Sequence, residues 1–206
     1  MSAARAIRKE HDMIKLIACD MDGTLLDTLA DLAHATEAVL RDAGLGRPDG
    51  LPLHSLEEYR HFVGNGARRL IERAAGTADP ALIGRLLTDF LRIYDRDCQA
   101  RTKPYPGIPE LLRDLKASDV RIAVATGKPT VFSEQILEHF GLRQYIDVVS
   151  GIPLDREPPD KCEEILHALY EMGISDRSGC VMVGDRSHDA IGAKMARIDF
   201  IGVLYG

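Results

Sequence analysis

Two carboxylates, Asp20 and Asp22, stand two residues apart directly after an apolar run over residues 14–19, and Gly23 and Thr24 follow them. Such a run suits a buried strand, and open α/β sheets place their ligand crevices at the carboxyl ends of strands. Two carboxylates crowded at such an end repel unless a cation or a bound ligand offsets their charge. A second pair, Asp185 and Asp189, lies four residues apart, where the apolar run 180–183 gives way to a helical pattern. Hard oxygen donors at a strand end and the next helix start can converge on one Mg²⁺, with water completing the octahedron. Between the pairs, Val124-Ala125-Thr126-Gly127-Lys128-Pro129 closes another strand pattern with a hydroxyl and successive amides. At the start of a helix these make an anion cradle. Each stretch has a plainer reading as well: an acidic turn that caps a helix, an N-cap Thr126, a solvated Lys128. His188 lies inside the second acidic stretch, but neutral imidazole suits Mg²⁺ poorly, so it reads as an outer or exposed group.

The elements that must hold these residues follow from periodicity. Leu32, Ala35, Val39 and Ala43 recur at helical spacing over 29–43, and Gly44 and Gly46 end that helix. Ser55 with Glu58 is a capping-box match that opens a second helix, and Leu70, Ile71 and Ala74 form the stripe of a third. Asp79-Pro80 starts a fourth that carries Leu82, Leu86, Phe90, Ile93 and Tyr94. No strand pattern falls between residue 31 and about residue 100, which predicts an all-helical insertion. Beyond it, helices over 109–117, 131–140, 160–172 and 187–196 alternate with strands over 120–125, 146–149, 180–183 and 200–204. That alternation predicts parallel βα units with right-handed crossovers. The fold class is therefore α/β, a doubly wound parallel sheet interrupted after its first strand by a helical cap. The expected division is a core of residues 12–28 and 103–206 with a cap of residues 29–102.

At 206 residues the chain can bury one sizeable core. A net charge of −6 argues against a nucleic-acid polymer or an anionic membrane as partner. No apolar run approaches the roughly 20 residues of a membrane span. Residues 1–11 are charged and lack the apolar stretch of a secretory signal, so they read as a frayed leader. The four cysteines show no paired spacing, which fits a reducing cytoplasm and neither a disulfide framework nor a zinc site.

Asp20-Met21-Asp22-Gly23-Thr24-Leu25-Leu26-Asp27 resembles DxDGTLxD, the first motif of the haloacid dehalogenase-like (HAD) phosphohydrolases. Thr126 resembles the second motif and Lys161 the third, and Gly184-Asp185-Arg186-Ser187-His188-Asp189 resembles the fourth, GDxxxD. The third motif is commonly a Lys-Pro pair. Here Glu157 follows Arg156, which leaves Arg156 as a second candidate for that role. The resemblance implies a HAD-like Rossmannoid core, with Asp20 as nucleophile and Asp22 as general acid and base. It also implies Thr126, the Gly127 amide and Lys161 as the phosphate-binding set. For Mg²⁺ it implies Asp20, Asp185, Asp189 and the Asp22 stretch, the last through a backbone carbonyl of Met21 or Asp22. A carboxylate at position 22 favours phosphoryl transfer, because dehalogenases of this superfamily lack one there. The stretches Phe62 to Leu70 and Lys103 to Leu112 resemble the phosphoglycolate phosphatase group, while the later half resembles a bacterial group described as 5′-nucleotidases. In the cap, Asn65, Arg68 or Arg69 could bind a substrate carboxylate, beside the plainer reading of solvated arginines. The expected function is a Mg²⁺-dependent phosphatase of a small monoester, working through an aspartyl-phosphate as a monomer or homodimer. Phosphoglycolate is the first substrate expected. The alternatives are a 5′-nucleotidase, a phosphomutase and a catalytically idle binding module.

Overall fold

The structure, a computed structural model, describes residues 14–154, 156 and 160–206; the leader and Glu157 lie outside the described residues. Strand β1 (Leu16–Cys19) is buried at every position and lies at the centre of a five-stranded sheet. It is flanked by β4 (Arg121–Pro129) and β6 (Cys180–Gly184), with β5 (Val148–Ile152) and β7 (Asp199–Gly202) at the edges. Every pairing in this sheet is parallel, in the order β5-β4-β1-β6-β7. The order reverses direction at β1, so the carboxyl end of that strand opens onto the switch-point crevice of a doubly wound fold.

Alternate side chains of β1 serve the two faces, as the period of a strand requires. Ile17 and Cys19, with Ile122 and Val124 of β4, pack beneath α5 (Ile108–Ala117) and α6 (Thr130–His139). Leu16 and Ala18, with Ala123, Ala125 and Met182, face α7 (Lys161–Glu171) and α8 (Ser187–Ala196).

After β1 the chain makes a two-residue strand β2 (Leu26–Asp27) and runs through four helices: α1 (Leu29–Asp42), α2 (Leu56–Phe62), α3 (Gly66–Ala75) and α4 (Pro80–Asp97). It returns as β3 (Lys103–Pro104), which pairs antiparallel with β2, so exit and re-entry form one short ribbon. The local signals act as the residue types require. Ser55 and Glu58 exchange both capping-box bonds, Asp79 accepts from the Ala81 amide, and Gly76 closes α3 in the left-handed region. Leu32, Leu70, Ile71, Leu86, Phe90 and Tyr94 belong to the same apolar cluster as the α5 and α6 face of the sheet. Asp31, almost fully buried, ties α1 to the re-entry by accepting from the amides of Arg101 and Thr102 and from the Thr102 hydroxyl.

One boundary differs from expectation in a way that matters. β4, expected to end at residue 125, continues through Thr126-Gly127-Lys128 to Pro129 with a register shift against β5, and α6 follows directly at Thr130. Among the described residues no helix is long and apolar enough to cross a membrane.

Candidate active site

Asp20 follows β1 immediately, and its amide is bonded to the Val183 carbonyl, so strand pairing itself delivers the carboxylate to the crevice. The chain then folds back tightly: the amides of Leu25 and Leu26 both reach the Met21 carbonyl, and Gly23 takes a φ of 84°. A Cβ at Gly23 would sit 2.6 Å from Asp185 Oδ2, so that position must lack a side chain for the two motifs to meet. From the same turn, Thr24 Oγ1 donates to Asp185 Oδ1 at 3.2 Å.

Asp20, Asp185 and Asp189 each bring a carboxylate oxygen within 4.8 Å of the others. Asp189 is fully buried; its Oδ2 accepts from the Arg186 amide, while its Oδ1 makes no hydrogen bond among the described residues beyond its ion pair with Lys161. Burial, then the charges of Asp20 and Asp189, push the Asp185 carboxyl up to about 6. A group of hard oxygens, one with an ion pair to Lys161 as its contact and one with a raised pKa, has the chemistry of a hard divalent cation site. His188 stands beside it, its Nε2 3.9 Å from Asp189 Oδ1, with burial lowering its pKa toward the neutral form.

Lys161, the first residue of α7, supplies positive charge from the opposite side. Asp160 caps that helix by accepting from the Glu163 amide, which fixes where the helix starts. The Lys161 ammonium donates to Asp20 Oδ1 at 2.9 Å and to the Ala125 carbonyl at 3.0 Å. It also lies 3.1 Å from Asp189 Oδ1 and 3.3 Å from Glu164 Oε2. Burial opposes its charge, but these carboxylates outweigh burial and hold its pKa above the ordinary lysine range. Of the two third-motif candidates, Lys161 is the one at Asp20, whereas Arg156 is exposed.

Several expected positions are changed by the geometry. Thr126 and Gly127 line the same cavity as Asp20, but they lie within β4, which runs past its expected end at residue 125, so the amides after Thr126 belong to extended backbone and not to a helix start. Asp22 is not drawn into the acidic group. Its Oδ1 accepts from Thr28 Oγ1 at 2.6 Å and pairs with Lys128 Nζ at 3.0 Å, so any part it takes in holding a cation must come from its backbone. Lys128 is buried, not solvated as in the plainer reading, and it donates to the Tyr94 hydroxyl at 2.8 Å. A lysine inside an otherwise apolar strand was the available signal for this. In the cap, Asn65 and Arg69 line the cavity, as does Arg73, and Arg68 is not among the lining residues. Arg73 donates to Asn65 Oδ1 and to the Phe62 carbonyl, which secures the Gly64-Asn65-Gly66 loop over the site. Glu164 and Arg73 were missed because nothing in their spacing marks them. The cavity between sheet and helices measures about 640 Å³.

A family profile described as haloacid dehalogenase-like hydrolase matches residues 17–203. The chain is 33% identical over 199 residues to a phosphoglycolate phosphatase of Thiobacillus denitrificans, covering 94% of this chain and 84% of that protein. Among solved structures, a predicted phosphoglycolate phosphatase of Haemophilus somnus matches with a TM-score of 0.82 at 28% identity, over 94% of this chain and 86% of that one. Protein tyrosine kinase A of Mycobacterium tuberculosis matches with a TM-score of 0.79 at 31% identity, over 95% and 86%.

Proposed function

Because the chain belongs to the haloacid dehalogenase-like hydrolases, we propose that it is a phosphoric monoester hydrolase working through an aspartyl-phosphate on Asp20, with phosphoglycolate as its first substrate. One observation carries the reading. Asp20 meets Lys161, Asp185 and Asp189 at one strand end, while Asp22 is held apart by Thr28 and Lys128.

An Asp20 oxygen attacks phosphorus as the ester P–O bond breaks. Asp22 gives its proton to the departing alkoxide, then takes one from the water that attacks the acyl phosphate and frees Asp20. Thr126, the Gly127 amide and Lys161 stabilise the phosphoryl oxygens as charge shifts onto them. Asp20, Asp185 and Asp189 are the residues that would hold Mg²⁺, which when bound supplies Lewis-acid relief of the repulsion between substrate and nucleophile.

In this reading Asn65 and Arg69, both expected from the sequence, meet the rest of the substrate together with Arg73, which lines the cavity where Arg68 does not. The division into a core of 12–28 and 103–206 and a cap of 29–102 belongs to the same reading, as does a cytoplasmic location, which the four buried, unpaired cysteines suit.

The experiment is phosphate release from a panel of monoesters with and without Mg²⁺, including phosphoglycolate and a nucleoside 5′-monophosphate. Wild type should release phosphate only with the metal, and Asp20→Asn should lose at least about 10³-fold in kcat. No release from any ester, or an Asp20→Asn enzyme as active as wild type, removes the proposal. A nucleotide turned over faster than phosphoglycolate transfers it to the nucleotidase reading.

A further inference from the structure

We propose that Lys128 and Tyr94 are positioning residues that aim the Asp22 carboxylate at the leaving group and couple that aim to the seating of helix α4. The inference rests on the hydrolase reading above, in which Asp22 protonates the departing alkoxide.

Three elements meet at this point. Asp22 comes from the turn after β1, Lys128 from the overrun of β4 past its regular pairing, and Tyr94 from α4 of the helical insertion. A lysine side chain has many rotamers, and burying it with its charge is unfavourable without partners. Lys128 is 6% exposed, and its ammonium has two partners among the described residues: Asp22 Oδ1 at 3.0 Å and the Tyr94 hydroxyl at 2.8 Å. The Tyr94 ring is held in turn, stacked on Phe90 at 5.4 Å between centroids and met edge-on by Phe132 of α6 at 5.3 Å.

Among the described residues, the contacts to the Asp22 carboxylate come from Lys128 and from Thr28, and both fall on Oδ1. One oxygen is clamped by two donors, so the carboxylate plane is fixed and the other oxygen carries neither contact. That is the arrangement a proton-transferring group needs, because efficiency depends on a heavy-atom distance held within a few tenths of an ångström. Lys128, Tyr94 and Asp22 all line the cavity, so a shift of α4 relative to the sheet would move the hydroxyl, then the ammonium, then the acid.

A structural role and a positioning role differ in how their loss depends on the leaving group. A poor leaving group needs a proton in the transition state and p-nitrophenolate does not. The measurement is kcat/KM on the Mg²⁺-loaded full chain for ethyl, phenyl and p-nitrophenyl phosphate. None has a second anionic group that Lys128 could bind directly. This ratio reports only steps through phosphorylation of Asp20, so the later attack of water does not enter. Lys128→Met should lose about 30-fold or more on ethyl phosphate and several-fold less on p-nitrophenyl phosphate. Tyr94→Phe, which keeps the stacked ring and removes only the hydroxyl, should show the same trend at about 3- to 10-fold.

Losses that are equal across the three esters, or no loss, overturn the inference. Should Lys128→Met fail to fold, Tyr94→Phe decides alone. Asp22→Asn separates the two levels of argument. If it shows the leaving-group dependence and the other variants do not, only the positioning role falls. If it too loses equally on all three, the acid role of Asp22 falls and takes this inference with it.

Discussion

Carboxylates repel, and Asp20, Asp185 and Asp189 stand closer together than their charges favour unless something positive lies among them. Lys161 is part of the answer, yet its one ammonium faces Asp20, Asp189 and also Glu164, whose buried Oε2 makes no hydrogen bond among the described residues. Burial, only partly countered by Lys161, pushes Glu164 up to about 7 from the ordinary 4.5. The sign of the consequence follows from linkage. A carboxyl whose folded pKa exceeds its unfolded value lets the folded state hold the extra proton, so its stabilising effect is complete below about 4.5 and lost as pH rises through about 7. Asp185 acts in the same direction over a lower window, from 3.8 to about 6. The metal-free protein should therefore melt at a lower temperature at pH 8 than at pH 5. Glu164→Gln, which cannot ionise, should flatten that fall above pH 6. Melting curves across this range are the check, and identical slopes for the two proteins would exclude Glu164 as the source.

The site is made at element ends, where a strand stops and the backbone must turn within one or two residues. Gly184 closes β6, and a Cβ there would meet Asp189 Cγ at 2.5 Å. Real Cβ atoms do not approach that closely, so Gly184→Ala must push the first turn of α8 outward and carry Asp189 with it. The expected result is a folded protein whose Mg²⁺ requirement for phosphate release rises about 10-fold or more, as for other disturbances of ligand orientation. A metal titration of activity beside a thermal melt tests this; an unchanged half-saturation would mean that Asp189 is not a ligand. The extension of β4 is the other element-level feature. Had α6 begun at Thr126, Lys128 would sit in a helix turn and not at the end of a buried strand.

Across the whole molecule, the helical insertion and one sheet face share a single apolar cluster, and both connections run through the β2–β3 ribbon. Polar contacts then tie the insertion to the rest of the fold. Lys128 meets Tyr94, Gln135 donates to the Asp95 carbonyl, and Arg186 donates to the Arg60 carbonyl at 3.0 Å. The Arg186 side chain also packs against Gly64, where a Cβ would come within 3.0 Å of it. Arg186 thus links the residue after Asp185 to the loop that carries Asn65. Arg186→Ala should raise KM for a small phosphate ester about fivefold, the worth of roughly one hydrogen bond, with a smaller change in kcat. Steady-state kinetics decide it, and a kcat loss without a KM change would place Arg186 in the chemistry instead.

The α/β alternation, the helical insertion and the element ends where Asp20, Lys161 and Asp185 lie were all legible in the chain, because apolar periodicity and short motifs are local properties; the end of β4 was not, since Thr126 lies inside that strand. So was the inference that the acidic residues need positive charge near them, since that follows from residue type alone. The partners of each charge were not legible. Lys128 lies 106 positions from Asp22 and 34 from Tyr94, and only the parallel register of β4 on β1, with α4 laid across their ends, brings the three side chains together. The same holds for Arg73 over Arg68: which arginine on α3 lines the cavity depends on how that helix is rotated against the core, and packing across the fold sets that rotation.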